Sequence, residues 1–167
     1  YLHSKNFHKV KGVKYIKSNL ESTNQCLKIT EKIDIVIMCA ANSSGAAVIE
    51  KTPLVHLTPN MRMNLNMLEA SHRNKIKKFI FISSNTVYPV SKNSMKENDS
   101  NYNFFYKYHT VAWMKKFSEI VCDIYSNKIK SKMQTIIIRP GNLYGPHDKF
   151  DAGKAKVIPS LIARVAK

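Results

Sequence analysis

Three short runs, "IDIVIMCA" (33–40), "KKFIFISS" (77–84) and "QTIIIRP" (134–140), constrain this chain more than anything else in it. Each is apolar at nearly every position rather than at every second one, as expected of a strand buried on both faces of a sheet. Helical patterning fills the spaces between them. "ESTNQCLKITEK" (21–32) reads as a helix, as does "TPNMRMNLNMLEASHRN" (58–74), with Met61, Leu65 and Leu68 at helical spacing and a proline near its start. A long helix follows over residues 106 to 129, with an apolar stripe of Trp113, Phe117, Ile120 and Ile124, and "VIPSLIARVAK" (157–167) begins another. "VKYI" (13–16) is a further short strand candidate. Strands alternating with helices imply right-handed crossovers and a parallel α/β sheet covered by helices. At 167 residues this is one domain, large enough for a real core. The polar stretch "SKNSMKENDSNYN" (91–103) reads as a flexible loop.

Several function classes drop out on composition. No apolar run approaches the roughly 18 residues of a membrane span, and the opening residues do not read as a signal peptide. Three cysteines (Cys26, Cys39, Cys122) in apolar settings fit buried thiols in a reducing cytoplasm. Six scattered histidines form no metal-ligand spacing. The net charge of +16 comes from lysines in almost every segment, with the densest runs, "NKIKK" and "SNKIKSK", where helices should end. That is a solvated surface rather than a nucleic-acid interface, though an anionic small substrate would profit from the same field.

In parallel sheets, ligands bind beyond the carboxyl ends of the strands. Those exits carry "CAANSSGAA", "SSNTVYP" and "RPGNLYGPHDKF". Small residues at the first allow backbone to approach a ligand, the second ends on paired hydroxyls, and the third joins a rigid proline, a glycine and the Asn142 amide. Ser84 can also be read as the cap of a turn, and Lys115 as a solvated helix lysine, though the motifs together favour the site.

With these motifs the chain resembles the extended short-chain dehydrogenase/reductase family, the NAD-dependent epimerases and dehydratases of nucleotide sugars, and most closely its GDP-L-fucose synthase-like branch. The resemblance implies a Rossmann-like, doubly wound sheet, with residues 1–167 a partial NAD(P)-binding domain lacking the first strands and the C-terminal substrate region. The cofactor implied is NAD or NADP, and the substrate a nucleotide sugar, in a cytoplasmic enzyme that could form a homodimer. Asn19 and Leu20 match the pair that holds the adenine, Ala40 and Ala41 the paired alanines beside the cofactor ribose, and Asn60 the helix asparagine supporting the site. Ser84 matches the catalytic serine, and Lys115 the lysine that binds the nicotinamide ribose and lowers a tyrosine's pKa. Pro140, Asn142 and Leu143 match the segment that places nicotinamide and sugar nucleotide. Asn142 and Arg164 are the expected substrate contacts.

The departures are equally specific. Val111 stands at the tyrosine position, four residues before Lys115, which leaves Tyr108 as the candidate proton donor. Thr86 and Lys156 stand where the fucose synthase pattern has a cysteine and a histidine, and both are candidate substrate contacts. The glycines (12, 45, 141, 145, 153) include no GxxGxxG loop. The chain is therefore expected to be the central portion of a longer one. The alternative is a catalytically silent relative that binds a nucleotide or a protein partner without turnover.

Overall fold

The structure, a computed structural model, describes residues 10–42, 51–146, 148, 150, 155 and 157–166. Strands β1 (Ile35–Met38), β2 (Lys78–Ile82) and β3 (Gln134–Ile138) form one sheet in the order β1-β2-β3. Both pairings are parallel, aligning Val36 with Phe79 and Phe79 with Thr135. The helices are α1 (Thr23–Ile29), α2 (Pro53–Arg73), α3 (His109–Asp123) and α4 (Val157–Val165). Helices α2 and α3 are the crossovers from β1 to β2 and from β2 to β3. This is the parallel α/β arrangement expected from the alternation of patterns.

Alternation along each strand sorts the side chains between the two faces. Val36, Met38, Phe79 and Phe81 are buried and join Met63, Met67, Leu68 and Cys122 in one core. On the other face Ile35, Ile37, Ile136 and Ile138 are exposed, Ile37 to 60%. The strands were expected to be buried on both faces. Among the described residues, the crossover helices cover only one.

Two helix boundaries have local causes. The helix expected from residue 58 starts at Pro53, with Thr52 as its N-cap. Pro59 therefore lies inside it, and its missing N–H leaves the Val55 carbonyl without its helical donor. The Asn42 side-chain amide donates to that carbonyl at 3.0 Å, so the proline becomes an attachment point instead of a break. At the other end of α2, Lys75 adopts a left-handed φ of 55°. The Ile76 N–H donates to Ser71 O and the Lys75 N–H to His72 O, both at 3.0 Å. This double closure turns the chain back toward β2 and buries Ile76.

Other expectations are corrected. "VKYI" forms no strand: Val13, Tyr15 and Ile16 are exposed and pair with no described strand. Cys39 is exposed, whereas Cys26 and Cys122 are buried, their thiols pushed up to about 11 and about 12 chiefly by burial. The stripe on α3 faces outward, with Trp113, Phe117, Ile120 and Ile124 all exposed. The inward face is Ala112, Met114, Ser118, Glu119 and Cys122. Mostly small residues let α3 lie close to the sheet, and Asn64 of α2 donates to the Ser118 hydroxyl across the helix pair at 3.0 Å. The 91–103 stretch, expected to be flexible, is fastened at several points. Ser100 Oγ donates to Val87 O, Lys116 Nζ to Ser100 Oγ, and Tyr102 stacks on Trp113.

Phe79→Ala should destabilise the chain by about 3–5 kcal/mol through loss of buried area and the cavity left behind. Val90→Ala, at an exposed position, should stay within about 0.5 kcal/mol of the parent. Urea unfolding followed by far-UV circular dichroism measures both.

Candidate active site

The carboxyl ends of the three strands bring most of the sequence-predicted residues to one edge. Ser84 stands two residues past the end of β2. The main-chain ladder continues past the strands there: Ser83 N–H donates to Ile138 O at 2.7 Å and Asn85 N–H to Pro140 O at 3.2 Å. Ser84 is thus flanked by two main-chain bonds to the β3 exit. Its Oγ accepts from the Thr86 N–H at 3.2 Å and from the Thr86 hydroxyl at 3.0 Å, capping the short 3-10 turn Asn85–Val87. The cap geometry is realised, and the half-buried hydroxyl retains access to solvent.

Lys115 is no solvated lysine. Its Nζ donates to the Ile82 carbonyl at 2.7 Å and lies 5.0 Å from the centroid of the Phe81 ring. Burial drives the ammonium down to about 8, against the opposing pull of the Cys39 sulfur and the Glu119 carboxylate. The ammonium is tied to the peptide two residues before Ser84, where β2 ends.

Glu119, one turn after Lys115, is 4% exposed. Its Oε1 accepts from Ser83 Oγ at 2.6 Å and from Arg139 Nε at 2.8 Å, while Oε2 accepts from Arg139 Nη2 at 2.8 Å. Lys116 Nζ stands 3.6 Å from Oε2. Burial alone would raise this carboxyl. The hydrogen bonds from Arg139 and Ser83, with the charges of Arg139 and Lys116, hold it below the usual carboxylate range. Arg139 Nη1 continues to Tyr88 Oη at 3.2 Å and to Glu97 O at 2.8 Å. No motif in the sequence marks Glu119 as part of the site. The available signal was opposite charges on α3 and at the β3 exit, which does not by itself specify a pair.

At the β1 exit, Ala40 is half-buried against the core and Ala41 is exposed. The next residue is fastened tightly: the Asn42 N–H donates to Asn60 Oδ1 at 2.7 Å, and Asn60 Nδ2 donates back to Asn42 O at 2.9 Å. The same Asn60 amide reaches His56 O at 2.7 Å, and the His56 ring meets Asn42 O at 3.0 Å. Asn60 therefore acts through the loop it holds.

The remaining predicted residues are more dispersed. Asn19 accepts from the Glu21 N–H through its side chain, and the buried Leu20 offers its carbonyl to Asn66 Nδ2. Tyr108 precedes α3 at the end of a 3-10 turn (Tyr106–Tyr108), its ring 5.8 Å from that of Phe105. Asn142, Leu143 and Arg164 are exposed. Lys156 and the loop after Asn42 lie outside the described residues. No described group of His, Cys, Asp and Glu could hold a metal, and no described helix is long and apolar enough to cross a membrane. A groove beside Asp123, Ser126 and Gln134 lies at the amino end of β3, away from this edge.

These residues fit one end of a dinucleotide. Small residues at β1, a hydroxyl at β2 and a buried ammonium between them suit a ribose and a nicotinamide lying across the strand ends. Among the described residues nothing forms a glycine-rich cradle for a pyrophosphate.

Comparison with known proteins finds relatives by sequence and by fold. The family model described as NAD dependent epimerase/dehydratase matches residues 2–167. GDP-L-fucose synthase of Escherichia coli (strain K12) is 29% identical over 137 residues, covering 81% of this chain and 42% of that protein. GDP-mannose 3,5-epimerase of Arabidopsis thaliana is 30% identical over 165 residues, covering 89% of this chain and 40% of that protein. A GDP-mannoheptose C4 reductase from Campylobacter jejuni, solved with NADP bound, superimposes with a TM-score of 0.76 at 27% identity, covering 87% of this chain and 44% of that one. The chain thus spans less than half the length of these relatives.

The native ammonium of Lys115 gives up its proton near pH 8, below the ordinary lysine value of 10.5. Between those values the unfolded chain binds more protons than the native one, so the contribution of this group to stability rises with pH across that window. Acylation of Lys115, followed by mass spectrometry over a pH series, should show a midpoint near 8 in the folded chain and return to the ordinary value in denaturant.

Proposed function

This chain belongs to the NAD dependent epimerase/dehydratase family, and on that premise we propose that it carries the strand-end chemistry of a nucleotide-sugar epimerase or reductase, in the manner of GDP-L-fucose synthase. The observation that carries the reading is the Lys115 ammonium bonded to the Ile82 carbonyl, two residues before the Ser84 hydroxyl. A nicotinamide cofactor, when bound, supplies or accepts the hydride at a sugar carbon. Ser84 donates a hydrogen bond to the sugar oxygen as charge develops on it. Lys115 has one N–H committed to Ile82 and others free for ribose hydroxyls, and its positive charge favours an alkoxide nearby. Ala40 and Ala41 would let the cofactor approach the β1 exit, while Asn19 and Leu20 would hold its adenine. Pro140, Asn142 and Leu143 would border the nicotinamide. Thr86, Asn142, Lys156 and Arg164 are the proposed contacts to sugar and phosphate.

Val111 carries no proton, and the proposed donor is Tyr108, seven residues before Lys115. The 3-10 turn ends at Tyr108, so the path to Lys115 runs along α3 and covers about 10 Å of axis at about 1.5 Å per residue, against about 6 Å for a four-residue spacing. Proton transfer is then the weakest part of the machinery. In the full-length protein, Ser84→Ala and Lys115→Ala should each depress kcat strongly, while Lys92→Ala leaves it unchanged. Restoring a phenol with Val111→Tyr should raise kcat, toward the ~10²–10⁴-fold that acid–base help supplies. Steady-state assays of nicotinamide absorbance measure all four. Parent-level turnover in both Ser84→Ala and Lys115→Ala would remove the assignment. An inert parent that Val111→Tyr does not revive would favour the silent relative.

A homodimer is proposed from the outward stripe of α3. Phe117 and Ile120 on α3, with Trp113 beside Tyr102 and Ile124 just past the helix, are exposed at helical spacing, and a second copy of the same helix could cover them. Light scattering after gel filtration should give a dimer mass for the full-length protein. Phe117→Asp with Ile120→Asp should shift it to the monomer, and an unchanged mass would exclude this face.

A further inference from the structure

Glu119 accepts three hydrogen bonds beside the strand ends, yet it has no chemical step in the reading above. Its partners lie on both neighbouring strands, Ser83 just past β2 and Arg139 just past β3. Lys115 lies one helical turn earlier and grips the carbonyl of Ile82. Helix α3 therefore holds two consecutive residues, Ile82 by its main chain and Ser83 by its side chain. The next residue is Ser84, and the β3 exit clamps the main chain on either side of it through Ile138 O and Pro140 O. A buried ion pair is weak grounds for stability, because desolvation offsets much of its attraction. What it can supply is registration, since the forked Arg139 contact permits few arrangements.

We propose that Glu119 is a positioning residue: by holding Ser83 and Arg139 together it sets the height of α3 against β2 and β3, and so the placement of the Ser84 hydroxyl relative to the Lys115 ammonium. Arg139 extends the same register to the Glu97 carbonyl and to Tyr88. The inference rests on the catalytic reading of Ser84 and Lys115.

The test uses the full-length protein. Ser83→Ala removes one hydroxyl and leaves Glu119 Oε1 bonded to Arg139 Nε, so the carboxylate is not orphaned. A misplacement near 1 Å costs about 10²-fold. We expect Ser83→Ala to lower kcat by about 10-fold or more, at an unchanged KM and urea midpoint, and Ser83→Thr to recover most of it. Glu119→Gln keeps the shape without the charge and should lower kcat at least as far. If Ser83→Ala turns over like the parent while Ser84→Ala is impaired, the positioning role is lost and the catalytic reading stands. If Ser84→Ala and Lys115→Ala also match the parent, the catalytic reading fails and takes the positioning role with it. A kcat loss that Ser83→Thr does not repair, or that tracks a fallen urea midpoint, assigns the hydroxyl to stability and overturns the proposal.

Discussion

A carboxylate buried beneath a helix must be fully paired or it will not remain charged, and Glu119 meets that demand with groups from two other parts of the chain, Ser83 and Arg139. The consequence is geometric. Helix α3 cannot slide along the sheet without breaking its hold on Ser83 past β2 or on Arg139 past β3. The lock sits at the carboxyl ends of the strands, the end where a parallel sheet receives ligands. Small residues at Ala112, Ser118 and Cys122 bring α3 close enough for the short Glu119 side chain to reach both strand exits.

The β1 exit has its own lock, built from α2 by a different device. Pro59 releases the Val55 carbonyl from the helix ladder, and Asn42 uses it. Asn60 then pairs with both main-chain polar groups of Asn42. Each crossover helix thus performs two tasks. Its apolar contacts build the layer with the sheet, and its polar contacts hold a strand exit in place. Apolar packing is non-directional, whereas hydrogen bonds constrain angles as well as distances, so the polar contacts set the finer geometry of the site.

The same division explains what could be read in advance. The three strands, the crossover helices and the edge bearing Ser84 and Lys115 follow from local pattern and from motif resemblance. Misreadings arose where a neighbour decides the outcome. "VKYI" has strand-like residues but no described strand to pair with. The row from Trp113 to Ile124 looks like a core face, yet the sheet takes the smaller residues on the opposite side of α3. Cys39, just past β1, continues the alternation of Ile35 and Ile37 onto the face that no described helix covers, and is exposed. Periodicity shows that a helix has an apolar face but does not say what will cover it.

By itself, the sequence determined the class of fold and the kind of chemistry its strand ends can support. Strand and helix periods are local properties of consecutive residues, and the placing of ligands beyond parallel strands follows from connectivity. Only the tertiary structure decided the electrostatic state of the site. The lowered proton affinity of Lys115 comes from burial, and the ionised state of Glu119 depends on an arginine twenty residues away in sequence. Both are sums over neighbours brought together by folding, and no stretch of consecutive residues contains them.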